Sequence, residues 1–260
     1  MKNKNIVVMI AVLIIVVLIG CLGFGYYKKF VEKKPNPVAT MEVEGYGTIK
    51  IELYPDQAPN TVANFVRLAN RGFYDNLTFH RIIKDFMIQG GDKLGNGTGS
   101  PVLSDIRDDI EKDSDSDKAY AIKGEFIYNG YKNDIKFEKG VLAMARGSYT
   151  AYSSKLSTES YNSAGSQFFI TTEATTHLNG TYCAFGKVIE GMDIVEKIAD
   201  AEIKKAEEGD EQVATEESTP VNPPVIKNLR VDTFGVDYGI PETLEVFDIQ
   251  SWYMKQYGIG

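Results

Sequence analysis

The 260-residue chain has a formal net charge of −8. Outside its first residues no Lys/Arg run is dense enough to neutralise a phosphate backbone, so nucleic acid is excluded as a partner. Two histidines (His80, His177) and two cysteines (Cys21, Cys183) rule out three-histidine and cysteine-cluster metal centres, leave mixed carboxylate sites open, and make a structural disulfide unexpected.

Residues 6–19 are an unbroken apolar run behind Lys2 and Lys4, the pattern of an export signal. Continued through Tyr27, the run reaches the roughly 20 residues that span a bilayer. It has no polar face with which to lie on a globular surface. Leu18-Ile19-Gly20-Cys21 also resembles a bacterial lipobox, in which Cys21 would be lipidated, although the residues after Cys21 stay apolar. Residues 1–27 are therefore expected to anchor the chain at the cell membrane, as a signal/lipoprotein or a transmembrane segment. The remainder is expected on the extracytoplasmic side, although Lys28, Lys29, Lys33 and Lys34 blunt the charge asymmetry that would set this orientation.

Residues 28–38, with Pro35-Asn36-Pro37, read as a linker, because proline and its neighbours resist helix. Met41 and Val43, then Ile49, Ile51 and Leu53, alternate with polar residues around Gly45-Tyr46-Gly47, which predicts a hairpin with one buried face. Val62, Phe65, Val66 and Ala69 share a helical stripe that Gly72 closes. Short strands are predicted at 77–83, 87–89, 141–145, 167–171 and 184–188, a second helix at 192–200 and a last strand at 225–232. Many short strands, Gly-rich turns and two isolated helices predict a mainly β domain over 39–235, a closed barrel capped by helices. Three stretches read as insertions: acidic 104–118, Ser/Thr/Tyr-rich 149–161, and Glu-rich 201–224, which is too poor in large apolar residues to order itself. Residues 236–260 read as a tail with a short helix around Trp252, the only tryptophan.

The informative stretch is 79–92, FHRIIKDFMIQGGD. Its apolar residues fall on both parities, so it is no simple half-exposed strand. Arg81 stands among them, where an unpaired guanidinium would be expensive. On that ground alone a structural and a functional arginine are equally supported.

The wider pattern decides. Residues 79–92 match FHRxIxxFMxQGGD, the signature of the cyclophilin family, at every fixed position. GVLAMAR at 140–146, NSAGSQFFIT at 162–171 and FGKV at 185–188 resemble further family segments in the right order, so the resemblance runs over about 39–200 and resumes at 225–232. It implies an eight-stranded antiparallel barrel and peptidyl-prolyl cis–trans isomerase activity. Residue by residue it implies Arg81 as the catalytic arginine, and Phe86, Met87 and Phe169 as the floor for a proline ring. Gln89 and Gln167 would hold the substrate backbone and position the arginine. Ala145 and Arg146 would form a strand against the peptide, although the family often has Asn at the second place. Leu178 would be a pocket leucine. His177 stands where well-known eukaryotic members have tryptophan, and Tyr182 where they have histidine. Tyr182 keeps a polar tip on an aromatic body, so a working pocket is expected. Cyclosporin binding is expected to be weakened at His177, because the indole is a contact.

No bond breaks in amide rotation, so neither cofactor nor metal is expected. The implied partners are proline-containing polypeptides, and the implied work is the folding of secreted or surface proteins. The alternative is a proline-peptide binding module or surface chaperone without catalysis. Asp113–Asp117 lacks the glycine and terminal glutamate of a calcium loop. Residues 95–99 form a glycine-rich turn rather than a dinucleotide fingerprint, and 165–167 lacks the second glycine of a nucleophile elbow. His80 is expected to be a structural hydrogen-bonding group, and Cys183 a buried apolar residue.

Overall fold

The computed structural model describes residues 2–30, 34–205 and 218–258. It divides into two compact units, Met1–Pro35 and Asn36–Gly260. The first contains helix α1 (Lys2–Phe30). Its window Val8–Gly25 is long and apolar enough to cross a membrane, a property shared by signal sequences.

The second unit is built on eight strands: β1 (Val38–Val43), β2 (Gly47–Leu53), β3 (Arg81–Ile83), β4 (Met87–Gly90), β6 (Val141–Met144), β7 (Phe168–Thr171), β8 (Ala184–Glu190) and β9 (Ile226–Asp232). All paired neighbours are antiparallel, in the order β3-β4-β7-β6-β8-β2-β1-β9. A separate two-residue ladder joins β5 (Tyr120–Ala121) to β10 (Leu244–Glu245). The helices are α2 (Pro59–Asn70), α3 (Ser157–Tyr161), α4 (Met192–Ala199) and α5 (Ile249–Tyr257).

The first hairpin forms as its alternation dictates. Met41, Val43, Ile49, Ile51 and Leu53 are buried, and Gly45 and Gly47 take the positive φ that the turn needs. The stripe of α2 (Val62, Phe65, Leu68) and that of α4 (Val195, Ile198) enter one core with Leu142, Phe168, Ile170 and Phe185 inside the curl of the sheet. Phe65 is its aromatic hub, with ring centroids 5.2 Å from Tyr74, 5.8 Å from Phe168 and 5.1 Å from Phe185.

The expected closed barrel does not form; the sheet is a curled half-barrel. Its edges, β3 and β9, share no ladder; residues 76–79, ahead of β3, meet 224–226 through the isolated bridge Thr78↔Val225 and through the Asn76 N–H on the Ile226 carbonyl, the Ile226 N–H on the Leu77 carbonyl and the Phe79 N–H on the Pro224 carbonyl. The cause lies in β3, which is three residues long and whose Ile82 N–H is taken by the Ser218 carbonyl of a loop. Too little strand remains there to zip the barrel shut.

The segments read as insertions are held by specific contacts. In 104–118 the Asp117 carboxylate accepts from Ser104 N–H, Ser104 Oγ and Asp113 N–H, while Asp108 pairs with Arg67 of α2 and with Arg71 at its C-terminal cap. The stretch 149–161 folds into short helical turns that bury Leu156 and Ser160. Of 201–224, residues 206–217 lie outside the described residues. The flanks, expected to lack order, pair through Ile203↔Pro220 and the Lys204 N–H on the Thr219 carbonyl. The tail does form a helix, α5, but buries none of its residues.

Candidate active site

The hairpin of β3 and β4 sets Arg81 opposite Gln89 and Ile83 opposite Met87. Its loop turns through Asp85 at φ 59°, which leaves Phe86 half-buried at the tip. The register continues to β7, where Gln89 faces Phe169, and to β6, where Phe169 faces Ala143. Arg81, Gln89, Phe169 and Ala143 thus line up on one face of the sheet, since directly opposed residues share a face.

That face is the outer one, and it carries a second apolar cluster. Met87, Phe137, Val141, Ala143, Phe169, Leu178 and Ala184 are buried together, with Ile83, Phe86, Ile135, Ala145 and Tyr182 packed against them. Phe169 stacks on Phe137 at 6.1 Å and meets Tyr182 edge-on at 5.8 Å; exposed His177 lies beside Phe86 at 5.9 Å. Phe86, Met87, Phe169, Leu178, Tyr182 and His177, far apart in sequence, therefore line one apolar surface beside Arg81.

A chain of polar contacts crosses its edge. Arg81 Nη1 donates to Gln89 Oε1 at 3.4 Å and lies 3.8 Å from Met87 Sδ. Gln89 Nε2 donates to Gln167 Oε1 at 3.0 Å, and Gln167 Nε2 donates to the Gly97 and Gly99 carbonyls at 3.1 and 3.2 Å. The turn bearing those carbonyls is gathered by Asp92, which is 1 % exposed and accepts from the N–H groups of Leu94, Asn96 and Gly97. Gly91, at φ 81°, is obligatory, because a Cβ there would sit 2.6 Å from the Ser166 carbonyl oxygen. The run QGGD thus builds the frame that holds both glutamines.

Ala145 lies just past β6, and its N–H is bound by the Gln167 carbonyl at 2.9 Å, so what it can offer a peptide is its own carbonyl. The Arg146 side chain is turned to structure. Its guanidinium lies 4.4 Å over the Tyr182 ring, 5.1 Å from Tyr161 and 5.8 Å from Phe126, and its Nε donates to the Thr181 carbonyl at 3.2 Å. It props the wall at Tyr182 rather than facing outward. His80 departs from expectation. It is 7 % exposed, and apart from a weak approach to the Thr78 backbone neither ring nitrogen finds a partner. Burial pushes its imidazole below the ordinary value, against the opposing pull of the Asp92 carboxylate.

Sequence reasoning missed three members of this site. Asp92 was visible in the motif, but its hydrogen bonds to the following turn were not. Phe137, beneath Phe169, carries no local pattern. A cleft of 710 Å³ adjoins Gln89, Ala145 and Gln167, and its far side is Val246–Gln250 of the tail. Among the described residues no cluster of His, Cys, Asp and Glu could hold a metal.

Comparison with known proteins matches this arrangement. Residues 38–231 fit the family "Cyclophilin type peptidyl-prolyl cis-trans isomerase/CLD". Peptidyl-prolyl cis-trans isomerase B of Bacillus subtilis is 38% identical over 163 residues, covering 63% of this chain and 91% of the relative. Peptidyl-prolyl cis-trans isomerase cypE of Dictyostelium discoideum is 40% identical over 154 residues, covering 58% and 78%. Some relatives are much longer; the chain spans 21% of peptidyl-prolyl cis-trans isomerase 9 of Schizosaccharomyces pombe. A crystal structure of a Cryptosporidium parvum cyclophilin type peptidyl-prolyl cis-trans isomerase, determined in the presence of the dipeptide Ala-Pro, superposes with a TM-score of 0.56 at 28% identity over 75% of this chain and 98% of that one. A family match over most of the chain, with the motif residues gathered on one sheet face, leaves one reading: the chain belongs to the cyclophilin-type peptidyl-prolyl cis–trans isomerases.

Proposed function

We propose that Arg81 is the catalytic group of this isomerase, acting on X–Pro bonds seated over Phe86, Met87 and Phe169. The observation that carries the proposal is the half-buried guanidinium beside that apolar floor, with Nη1 on Gln89 and Gln89 on Gln167. Amide rotation faces a barrier of about 18–20 kcal/mol from resonance, and an uncatalysed X–Pro bond exchanges over tens to hundreds of seconds. Only interactions stronger in the twisted state lower that barrier. Twisting returns the lone pair to the prolyl nitrogen, and a fixed N–H donor can then bind it. The floor holds the ring still while the other side of the bond turns. Gln89, Gln167 and the Ala145 carbonyl hold the peptide backbone, and His177, Leu178 and Tyr182, propped by Arg146, wall the pocket. The relative crystallised in the presence of Ala-Pro supports this choice of substrate.

The apolar helix α1 supports a place at the membrane; with the isomerase unit on the extracytoplasmic side its clients would be secreted or surface proteins, for which prolyl isomerisation is slow enough to limit folding. The test is a protease-coupled isomerisation assay on the full chain in detergent. Arg81→Ala should cut kcat/KM by about 10²–10³, the value of one preorganised donor. A folded variant with undiminished turnover would exclude Arg81 as the catalytic group, and peptide binding without acceleration by the parent chain would mark a binding module instead.

A further inference from the structure

The tail lies beyond the stretch 38–231 that fits the family, yet it forms part of the cleft next to the reaction site. Residues 242–250 reach it by a defined route. Asn60 clamps the tail at Glu242, donating Nδ2 to the Glu242 carbonyl at 3.0 Å and accepting the Glu242 N–H at 2.7 Å. Leu244 and Glu245 then pair with Ala121 and Tyr120. Phe247 next packs against Tyr149 with ring centroids 5.3 Å apart, and α5 begins with Asp248 as its N-cap, accepting from Ser251 N–H and Oγ. Tyr149 itself is fixed, because its N–H binds Ser160 Oγ, which in turn donates to the Gly147 carbonyl. Two segments with no evident task in the sequence, 149–161 and the tail, thus meet at the cleft.

Their meeting changes the chemistry of that cleft. Its inner side is backbone and small polar groups (Gly97, Thr98, Gly99, Ser100, Gly165), whereas the tail adds the apolar side chains of Val246, Phe247 and Ile249, with Asp248 and Gln250 between and beyond them. Val246 is 39% exposed, and Phe247 and Ile249 are half-buried. The tail therefore presents apolar surface to a space that opens directly beside Gln89, Ala145 and Gln167.

We infer that this wall is a specificity element: Phe247, backed by Tyr149, receives a large apolar side chain of the client that flanks the X–Pro bond on the Gln167 side. The inference rests on the isomerase reading above. A client with leucine or phenylalanine there removes apolar surface from water on both partners, while one with glycine or aspartate gains nothing from the wall. Covering about half of one large side chain corresponds to a preference of about three- to tenfold in kcat/KM.

The experiment uses the full chain in detergent and matched proline peptides carrying Leu, Phe, Gly or Asp at successive flanking positions. The parent chain should favour Leu and Phe over Gly at one position, and Phe247→Ala and Tyr149→Ala should each bring that ratio towards one. Phe247→Leu should keep most of the preference, which separates lost apolar contact from lost tail structure. If both alanine variants retain the parent ratio, or raise kcat/KM equally on every peptide as the removal of a mere cover would, the inference is overturned. Absence of acceleration by the parent chain on all peptides would instead defeat the isomerase reading on which it rests.

Discussion

Helix α2 begins without a cap of its own, and the replacement comes from Glu125. Ala58 at the N-cap has no side chain that can accept a bond, and Pro59 has no N–H to offer. The next two donors are met from 65 and 64 residues away: Glu125 Oε1 accepts the Asn60 N–H at 3.1 Å, and Oε2 accepts the Thr61 N–H at 2.8 Å and Thr61 Oγ1 at 2.7 Å. The side chain is 4 % exposed, so water cannot substitute for it. Glu125→Gln keeps the shape but turns one acceptor into a donor that faces an N–H. Of the three charge-assisted bonds one is lost, at about 1.5–3 kcal/mol, and the others become neutral. The favourable charge at the helix N-terminus goes with them, worth about 0.5–1 kcal/mol. The expected destabilisation is about 2–4 kcal/mol. Equilibrium urea unfolding followed by tryptophan fluorescence and far-UV circular dichroism should show a lower midpoint at unchanged slope. A shift within the ~0.5 kcal/mol of an ordinary surface substitution would refute the view that this carboxylate caps α2.

The other expectations follow from the site. Gln167→Ala frees Gln89, which bonds Arg81, from its anchor, and kcat/KM should fall by about tenfold or more, as for groups misplaced by an ångström, whereas Gln167→Glu, which keeps an acceptor for Gln89, should fall less; equal losses would show that Gln167 does not act through Gln89. Buried His80, with its imidazole pushed down, favours the neutral form in the folded chain, so its contribution to stability is complete above the unfolded value of about 6.5 and is lost as pH falls from there through the depressed folded value. His80→Phe should flatten that decline in urea midpoints, and an unchanged profile would clear His80 of responsibility. The Cys183 thiol, buried and pushed up to about 12, should resist maleimide in native Cys21→Ser protein and react after unfolding; rapid native labelling would contradict its burial. His177→Trp places an indole beside Phe86 and should tighten cyclosporin binding by about tenfold, read by the inhibitor concentration that halves turnover.

Much of this molecule was legible because its signals are local. The alternation of Met41, Val43, Ile49 and Ile51, and the stripe of Val62, Phe65 and Ala69, each need only a few neighbouring residues to be recognised, and each forms as its period predicts. Closure of the sheet was not legible. It depends on whether β3 has enough residues left after Ile82 is bound by Ser218, a contact between positions 136 apart. Glu125 and Phe137 escaped for the same reason, since a lone glutamate and a lone phenylalanine in loops carry no period, and their roles exist only once α2 and Phe169 are in place. The tail could be read as a short helix, but nothing in its composition says that Phe247 would reach Tyr149.

The motif around Arg81 shows why a site of this kind leaves a mark in sequence. An antiparallel sheet with one solvated face alternates cleanly, apolar inward and polar outward. The stretch 79–92 does not, because both faces of the sheet are apolar here: Phe79, Ile82 and Ile88 enter the inner core, while Ile83, Phe86 and Met87 join the outer cluster. The same doubling recurs at β6, where Leu142 points in and Ala143 out, and at β7, where Phe168 points in and Phe169 out. The outward face is buried in its turn against Phe137, Leu178 and Tyr182, which leaves half-buried Phe86 and exposed His177 at its margin. The polar exceptions on that face are then the informative residues, and Arg81 and Gln89 are directly opposed there. Loss of alternation on consecutive strands, broken by one arginine and one glutamine in register, therefore marks a sheet that is apolar on both faces with a polar pair on the outer one, and the family likeness is what makes that pair a catalytic candidate rather than a structural one.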